Sequence, residues 1–278
     1  QIGPAVLRHG SPELRQEIVP RIASADAVFC LGMSEPEAGS DLASVRTTAT
    51  RAGGGWRING LKTWTSQAHH ATHMYLLART DDSGRKHEGL TEFIVDMDAA
   101  GITVGPILDL TGEHHFNEVR FEEVFVPDRR VIGEVGHGWR QVVEQLSFER
   151  GGAERVLSSY PVLVELVAET SRRGDDRELH ALLGTLVARL AVLRRLCFEV
   201  ASAMDAGDAP VQQAAALKFL GNAFERDVIE ALRRTDLCRD PSADSVFGQA
   251  LLASTGFGLR GGAAEVLLSL IARQEARA

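Results

Sequence analysis

Residues 33–41 read MSEPEAGSD, and this stretch does most to decide the fold. It is dense in turn formers and small hydroxyl residues, and Gly39 allows the backbone to approach a ligand closely. Such a loop presents backbone N–H groups and serine hydroxyls to a polar ligand. A plain capped turn, in which Ser40 or Asp41 starts a helical turn, explains the same composition equally well. The loop alone therefore leaves both interpretations open.

A second informative segment, WRINGLKTWTS, spans residues 56–66. Its Asn-Gly pair at positions 59–60 lies between two strand-like runs and predicts a β-hairpin turn. Trp64 precedes the hydroxyl residues Thr65 and Ser66, so its ring could stack on a planar ligand while the hydroxyls bond the ligand's heteroatoms. A strand with one core aromatic residue is the alternative interpretation.

The chain changes character twice along its length. Residues 1–25 are predicted to be helical, because Ser11 can cap a helix that begins at Pro12. Short apolar runs separated by Gly-rich turns then predict a β-barrel or a sandwich. After Gly138 the apolar residues recur at steps of three and four, as in amphipathic helices. The best-defined of these predicted helices span residues 179–204, 214–232 and 263–278.

Composition excludes several classes of function. The chain has 278 residues and a formal net charge of −8, so its overall charge does not favour nucleic acid or an anionic membrane as a partner. It lacks a long uncharged apolar run, and we expect a soluble, cytoplasmic protein. The chain begins at Gln1 and runs directly into apolar sequence, so we expect a fragment of a longer protein.

Neither the cysteines nor the histidines predict a metal site. Three cysteines stand far apart, without the spacing of a disulfide framework or a zinc site, at Cys30, Cys197 and Cys238. We expect free thiols in a reducing compartment. The histidines at positions 69, 70 and 73 have no carboxylate or cysteine at ligand spacing in a helix, and we predict that they lie in a solvated loop.

Four segments occur in an order that resembles the acyl-CoA dehydrogenase family. They are SEP at 34–36 with GSD at 39–41, NGLKTWTS at 59–66 after Trp56, FNEV at 116–119 with the strand-like run that follows it, and Gly138-Trp139. The likeness is close from about Gly10 to Arg150 and looser after it. The form of the first loop resembles the bacterial branch that handles branched, cyclic or sterol-derived acyl groups.

The resemblance implies an α+β fold of three parts. These are the end of an N-terminal helical domain at residues 1–26, a flavin-binding central β-barrel at 27–135 and a C-terminal helical bundle at 136–278. It also implies FAD as the cofactor. The expected cofactor-binding residues are Leu31, Met33, Ser34, Gly39, Ser40, Trp64, Thr65 and Ser66. Within that set Trp64 would pack on the flavin near Thr65 and Ser66, and Ser40 would also touch the CoA part of the substrate.

The reaction implied by the resemblance is the α,β-dehydrogenation of an acyl-CoA thioester in lipid metabolism. A carboxylate removes the α-proton, and the β-hydrogen leaves as hydride to N5 of FAD. Hydrogen bonds polarise the thioester carbonyl, which stabilises the developing enolate. An electron-transfer flavoprotein is the expected acceptor of the electrons.

The catalytic base is expected to be Glu149. Most family members carry the base as a Glu in the turn before the last helix, but Gly261 occupies that position here. Other branches place the Glu just before an Arg at the start of a helix, which corresponds to Glu149 and Arg150, with Arg150 on the CoA side. A surface Glu–Arg pair, worth less than about 1 kcal/mol, is the alternative interpretation. Glu265 is a second candidate for the base.

The sequence also departs from the family. Its helical part lacks the Arg-x-x-Phe-Gly and Gln-x-x-Gly-Gly segments that hold the adenine half of FAD in neighbouring subunits. Two alternative functions therefore stay open: a non-catalytic or half-site subunit of a hetero-oligomer, and an oxygen-using relative such as an acyl-CoA oxidase or a flavin monooxygenase. A homo- or hetero-oligomer, either a dimer or a tetramer, is expected.

Overall fold

The computed structural model describes residues 1–82, 84–233, 235, 242 and 245–275. Its internal contacts separate the chain into two units, Gln1–Gln145 and Leu146–Ala278. The described strands all lie in the first unit, and the second unit is helical. The predicted three-part division at residues 26 and 135 stays a prediction. Cys238 and the end of the last predicted helix, residues 276–278, lie outside the described residues.

The first unit opens with two helices, α1 (Ile2–His9) and α2 (Pro12–Ala23). The Ser11 hydroxyl accepts a hydrogen bond from the Leu14 N–H at 3.1 Å, which confirms the predicted cap. The helices are separated at Gly10, where a Cβ atom would lie 2.6 Å from a carbonyl oxygen of α1. The predicted helical segment therefore forms two short helices.

One eight-stranded sheet dominates the first unit. Its strands are β1 (Phe29–Gly32), β2 (Thr48–Ala52), β3 (Gly55–Ser66), β4 (His73–Arg79), β5 (Leu90–Asp96), β6 (Ile102–Leu108), β7 (His114–Pro127) and β8 (Val131–Ile132). The strand order is β6-β7-β3-β2-β4-β5-β8, and β1 pairs with β4 in parallel. The long pairings of β3 with β7, β4 with β5 and β6 with β7 are antiparallel. Together with the helices, this sheet confirms the predicted α+β class.

Strands β4 and β5 are buried on both faces, and most of their residues are apolar. On one face Met74 and Leu76 join a cluster that includes Trp56 and inward-facing residues of the other strands. On the opposite face Tyr75 and Ile94 pack against α1 and α2. The alternation of side chains along the strands thus serves two separate apolar clusters.

The predicted hairpin at Asn59-Gly60 is wrong, because β3 continues through both residues. The turn between β2 and β3 forms instead at Gly54, where φ is +76°. Asn59 stays in the sheet because its Oδ1 accepts a hydrogen bond from the Glu123 N–H of β7 at 2.9 Å. Gly60 is needed for a close approach, since a Cβ atom there would lie 2.7 Å from the Thr47 Cα.

Helices form the second unit, and the first of them begins within the first unit. They are α3 (Gly138–Arg150), α4 (Glu154–Leu157), α5 (Tyr160–Arg173), α6 (Arg177–Asp205), α7 (Val211–Arg233), α8 (Val246–Phe257) and α9 (Ala264–Glu275). The helices predicted at 179–204 and 214–232 are confirmed as α6 and α7. No periodic pattern predicts α8, because its small and apolar residues are spread around the helix. None of the described helices is long and apolar enough to cross a bilayer.

A buried ion pair fastens the 33–41 loop to the sheet. Lys62 of β3 is completely buried, and its Nζ donates to Glu35 Oε1 at 2.8 Å and to a main-chain carbonyl of the loop at 3.0 Å. The Glu35 carboxylate also accepts from the N–H groups of Arg46 at 2.6 Å and Thr47 at 2.9 Å. Burial works to raise the pKa of Glu35, but the Lys62 charge and these donors hold that pKa below its ordinary value.

We expect Lys62→Met to lower the free energy of unfolding by about 3–5 kcal/mol, because it leaves the Glu35 carboxylate buried without its counter-ion. The double variant Lys62→Met/Glu35→Gln should recover most of that loss, since no buried charge remains. Urea denaturation followed by circular dichroism measures both effects. As a control, Lys86→Met breaks the exposed pair with Asp41 and should cost less than about 1 kcal/mol. A double variant no more stable than Lys62→Met would contradict the ion-pair interpretation.

Glu92 of β5 is a second completely buried carboxyl group. One of its oxygens accepts a hydrogen bond from Gln141 of α3 at 2.7 Å, and no cation in the described part of the chain pairs with it. Burial raises the pKa of Glu92 from its ordinary 4.5 to about 7. The group therefore contributes stability below pH 4.5, and that contribution is lost as the pH rises to about 7.

Glu92→Gln should remove this pH dependence, because the amide has no charge to bury at high pH. We expect the free energy of unfolding of the unmodified chain to decrease between pH 4.5 and about 7 by more than that of the variant. Urea titrations at several pH values provide the measurement. Glu122→Gln, at an exposed position of β7, is the control and should leave the slope unchanged. An identical slope in the chain with and without Glu92 would show that this carboxyl group is not the cause.

Candidate functional site

The 33–41 loop is closed by a tight turn. The Glu35 N–H donates to the Ala38 carbonyl at 3.0 Å, and the Ala38 N–H donates to the Glu35 carbonyl at 3.1 Å. Gly39 and Ser40 follow this turn and are exposed to solvent. The residue predicted to contact CoA, Ser40, is therefore accessible to a ligand.

The loop lies against β3 just before Trp64. The Thr63 N–H donates to the Ser34 carbonyl at 2.9 Å, and Ser34 itself is half-buried. Leu31 and Met33 are half-buried as well, and they pack against the apolar cluster that includes α1 and α2. Of these three predicted cofactor-binding residues, Ser34 accepts a hydrogen bond from the main chain directly before Trp64, and the Met33 carbonyl accepts one from Lys62 Nζ at 3.0 Å.

Trp64 has an unusual backbone conformation. Its φ is +57°, in the left-handed region that bulky residues avoid. The register between β3 and β7 shifts between Lys62 and Thr65, so Trp64 lies in a β-bulge. Its side chain is 60% exposed, and its ring meets Phe116 edge to face at 5.7 Å. An exposed aromatic residue held in a strained conformation is typical of a functional surface.

The two hydroxyl residues after Trp64 differ in exposure. Ser66 is exposed, whereas Thr65 is 1% exposed. Within the described part of the chain the Thr65 hydroxyl has no hydrogen-bond partner, which is unusual for a buried polar atom. An exposed indole face with hydroxyl groups beside it fits the flat, heteroatom-rich ring of the predicted flavin.

A cleft of about 670 Å³ opens in the first unit between β2 and β4. Its charged lining residues are Arg46, Arg79, Lys86, Asp81 and Asp82. Arg79 donates to main-chain carbonyls, among them that of Ala43 at 2.7 Å, and Lys86 pairs with Asp41 at 2.8 Å. Arg46 is exposed. The lining comes from separated segments, so no local pattern in the sequence predicts this cleft.

The predicted base, Glu149, and its neighbour Arg150 lie in the second unit at the end of α3, so their predicted position at the start of a helix is wrong. Glu149 is half-buried, whereas Arg150 is 6% exposed. Arg150 Nε donates to the Gly261 carbonyl at 2.8 Å. A Cβ atom on Gly262 would lie 3.3 Å from Arg150 Nη2, so a glycine there lets the guanidinium approach. The structure thus brings together the two segments at which the resemblance predicts a catalytic base.

Buried polar groups of α7 hold the same turn, which spans residues 257–262 and is called the α8–α9 turn below. Lys218 is completely buried, and its Nζ donates to the Phe257 carbonyl at 3.1 Å. Glu225, also completely buried, accepts a hydrogen bond from Arg260 at 3.0 Å. Burial raises the pKa of Glu225, although the Arg260 charge works against that shift. Polar residues seven positions apart on an otherwise apolar helix face are the signal that could have predicted these contacts.

The histidines near position 70 have different environments. His73 is buried in β4, stacks on Phe29 at 5.2 Å and places Nε2 3.3 Å from Asp96. The predicted solvated loop is therefore wrong for His73, because a strand begins there. His69 and His70 belong to a short 3-10 turn before that strand. Among the described residues, no group of three His, Cys, Asp or Glu side chains could hold a metal ion.

Two family profiles match most of the chain. The profile of the acyl-CoA dehydrogenase middle domain matches residues 30–124, and that of the acyl-CoA dehydrogenase C-terminal domain matches residues 136–276. Acyl-CoA dehydrogenase FadE34 of Mycobacterium tuberculosis is 38% identical over 233 residues, which are 82% of this chain. The chain spans only 32% of the length of that relative.

Solved structures share the fold. A variant of the Tcur3481–Tcur3483 steroid ACAD has a TM-score of 0.90 at 29% identity, over 100% of this chain and 76% of that chain. The ChsE4–ChsE5 complex from Mycobacterium tuberculosis has a TM-score of 0.83 at 28% identity, again over 100% of this chain and 76% of the other. Since both domain profiles and the fold agree with the four sequence segments, this chain belongs to the acyl-CoA dehydrogenase family.

Proposed function

We propose that the chain is part of an enzyme that uses FAD to dehydrogenate an acyl-CoA thioester between its α and β carbons. The observation that carries this proposal is the hydrogen bond from Arg150, next to Glu149, to Gly261. Because α3 and the α8–α9 turn are in contact, a carboxylate at the end of α3 can supply the base that the turn lacks. FAD, when bound, accepts the hydride in this chemistry.

The residues proposed to hold the flavin ring belong to the first unit. Trp64 offers an exposed aromatic face, and Ser66 beside it offers an exposed hydroxyl group. The Thr65 hydroxyl, buried without a partner among the described residues, would gain a partner from a ligand heteroatom. Ser34 is tied to the same strand. The further predicted contacts of FAD are Leu31, Met33, Gly39 and Ser40, of which Ser40 also contacts CoA.

Glu149 is the proposed base. Its half-buried position shields it partly from water, which suits a carboxylate that must remove an α-proton. Arg150 holds this end of α3 against the α8–α9 turn, and its predicted contact with CoA would use the same guanidinium. Glu265 is exposed on α9, which is a poorer setting for a base.

The proposed substrates are acyl-CoA thioesters with a bulky, ring-bearing acyl group. Two observations support this class: the form of the 33–41 loop, and the 29% identity to the Tcur3481–Tcur3483 steroid ACAD. The cations that line the cleft between β2 and β4 include the exposed Arg46, whose charge suits a phosphate-bearing ligand such as CoA.

We expect Glu149→Gln to slow the bleaching of bound flavin by acyl-CoA about a thousandfold, because an amide cannot accept the α-proton. FAD should stay bound in this variant. Anaerobic visible spectroscopy with straight, branched and ring-bearing acyl-CoAs measures the effect, and the ring-bearing thioesters should bleach the unmodified protein fastest.

Glu265→Gln is the matched control for this measurement, because it makes the same change at an exposed position. It should bleach at the rate of the unmodified protein. Normal bleaching in Glu149→Gln, together with loss of bleaching in Glu265→Gln, would assign the base to Glu265. Normal bleaching in both variants would place the base outside these residues.

A second candidate function is that of a half-site subunit that completes the flavin site of a partner. Gly261 in the α8–α9 turn and the missing segments for the adenine half of FAD favour it. The similar fold of the ChsE4–ChsE5 complex, at 28% identity, also favours it. Glu149 opposes it, because a subunit without chemistry has no need of a base.

The visible spectrum of the purified full-length protein separates these functions. If the protein is an autonomous enzyme, it should carry flavin absorbance when it is purified alone. A colourless protein that takes up flavin only with a partner subunit would support the half-site function instead. Reduction of an electron-transfer flavoprotein would support the dehydrogenase, whereas release of peroxide under air without reduction of an artificial acceptor would support an oxygen-using relative.

A further inference from the structure

Four histidines lie near one another in the first unit, and the rings of three of them form a row. They come from two separated segments, the 3-10 turn before β4 and the start of β7, and they are His69, His70, His114 and His115. The rings of His69 and His114 stack with centroids 3.9 Å apart and an interplanar angle of 18°. The ring of His70 lies 4.0 Å from that of His69. None of these imidazoles has a role in the proposed reaction.

The row is bonded to one buried amide, Asn117 of β7. Its Oδ1 lies 2.7 Å from His114 Nε2 and 3.1 Å from His69 Nδ1. Its Nδ2 donates to the Thr65 carbonyl at 2.9 Å. Because a carbonyl only accepts, the amide nitrogen must face Thr65 and the amide oxygen must face the imidazoles. His114 therefore carries a proton on Nε2, and His69 carries one on Nδ1.

This amide bonds the backbone directly next to the strained residue Trp64. A bulky residue keeps a φ of +57° only where the surrounding contacts enforce it. Asn117 supplies one such contact through the Thr65 carbonyl, and the adjacent Phe116 supplies another through its ring. The start of β7 thus holds the bulge by a hydrogen bond and by an aromatic contact.

We propose that Asn117 is a positioning residue for the Trp64 bulge and the paired residues 65–66 that follow it, and that neutral imidazoles at His69 and His114 keep its amide oriented. The inference rests on the proposed function, in which this bulge receives the flavin. Two charged imidazoles cannot remain stacked at 3.9 Å without repulsion, so acidification loosens the bulge and weakens flavin binding.

The surroundings of His69 favour its neutral form. Burial has the largest effect, and the neighbouring imidazoles of His70, His114 and His115 act in the same direction. The hydrogen bond with Asn117 acts in the opposite direction. The pKa of His69 consequently lies below its ordinary value.

Groups on the other elements act on His115. Asp109, in the connection after β6, has its pKa lowered chiefly by Thr111, and His115 adds to that shift. From the end of β3, Gln67 places its uncharged amide nitrogen 3.1 Å from His115 Nδ1.

Three variants test the proposal. In His69→Asn/His114→Gln an amide nitrogen replaces each donating ring nitrogen, so the bonds to Asn117 remain and the titratable protons are gone. In Asn117→Ala the bond to Thr65 is lost. His137→Gln is the control, because His137 is exposed and pairs with Glu134 at 3.8 Å.

Fluorine NMR of the cofactor-free chain labelled with 5-fluorotryptophan reports on Trp64, and Trp64→Phe assigns its resonance. We expect this resonance to move between about pH 8 and about pH 5.5, on either side of the ordinary histidine pKa, in the unmodified chain and in His137→Gln. It should stay fixed in the histidine double variant. In Asn117→Ala it should be displaced already at the higher pH.

Titration with free FAD gives the second measurement. Asn117→Ala should bind FAD about tenfold more weakly at the higher pH, as expected for the loss of one buried hydrogen bond. The unmodified chain should bind FAD about tenfold more weakly at the lower pH, whereas the histidine double variant should bind it equally at both. If Asn117→Ala fails to fold, the double variant, which retains Asn117, decides the question alone.

The proposal would be overturned if the Trp64 resonance of the unmodified chain had the same chemical shift at both pH values. So would a pH response that persists in the histidine double variant, or a folded Asn117→Ala that matches the unmodified chain. A chain that binds no FAD at either pH would count against the proposed function, while the fluorine spectra would still decide the role of Asn117.

Discussion

The buried pair of Lys62 and Glu35 is the interaction on which the candidate site of the first unit depends. Burying either charge alone would be costly, so the 33–41 loop and β3 cannot separate without leaving one of them unpaired. The same pair fixes where Ser34 meets the strand, directly before the Trp64 bulge. The 33–41 loop and β3 are therefore held together, and the groups proposed to bind the flavin ring are pre-organised in the absence of a ligand.

The second unit uses a related arrangement at the α8–α9 turn. There the buried charges of Lys218 and Glu225 on α7 are directed at a main-chain carbonyl and at Arg260. In both units a buried charged group finds its partners on a loop, and each of these loops lies next to residues proposed to act in the reaction. Stability and site geometry are coupled in this way, because movement of the loop would leave a buried charge in apolar surroundings without its polar partner.

The parts of the fold that depend on local pattern could be predicted from the sequence. The leucine spacing of α6 and the cap at Ser11 are of this kind. The prediction of a hairpin at Asn59-Gly60 is wrong because the Asn59 side chain forms a hydrogen bond with Glu123, which is distant in sequence. The same reason applies to three further features, which also depend on contacts between residues distant in sequence. They are the strain at Trp64, the orientation of Asn117 and the contact between Arg150 and Gly261. Glu149 is proposed as the base through the resemblance to a family, because no periodic pattern in the sequence marks a catalytic base.

The contacts that Lys218 and Arg150 make with the α8–α9 turn are both to peptide oxygens, at Phe257 and Gly261. Every residue type provides such an oxygen, so these contacts are indifferent to which side chain stands at position 261. A lineage can therefore lose a carboxylate from this turn in one step and keep the turn where it is. The return is harder, because Gly261 has a φ of +69°, which a glutamate adopts only at a cost of about 1–3 kcal/mol. The backbone at position 261 therefore disfavours a carboxylate side chain there, and the base proposed on α3 does not depend on that position.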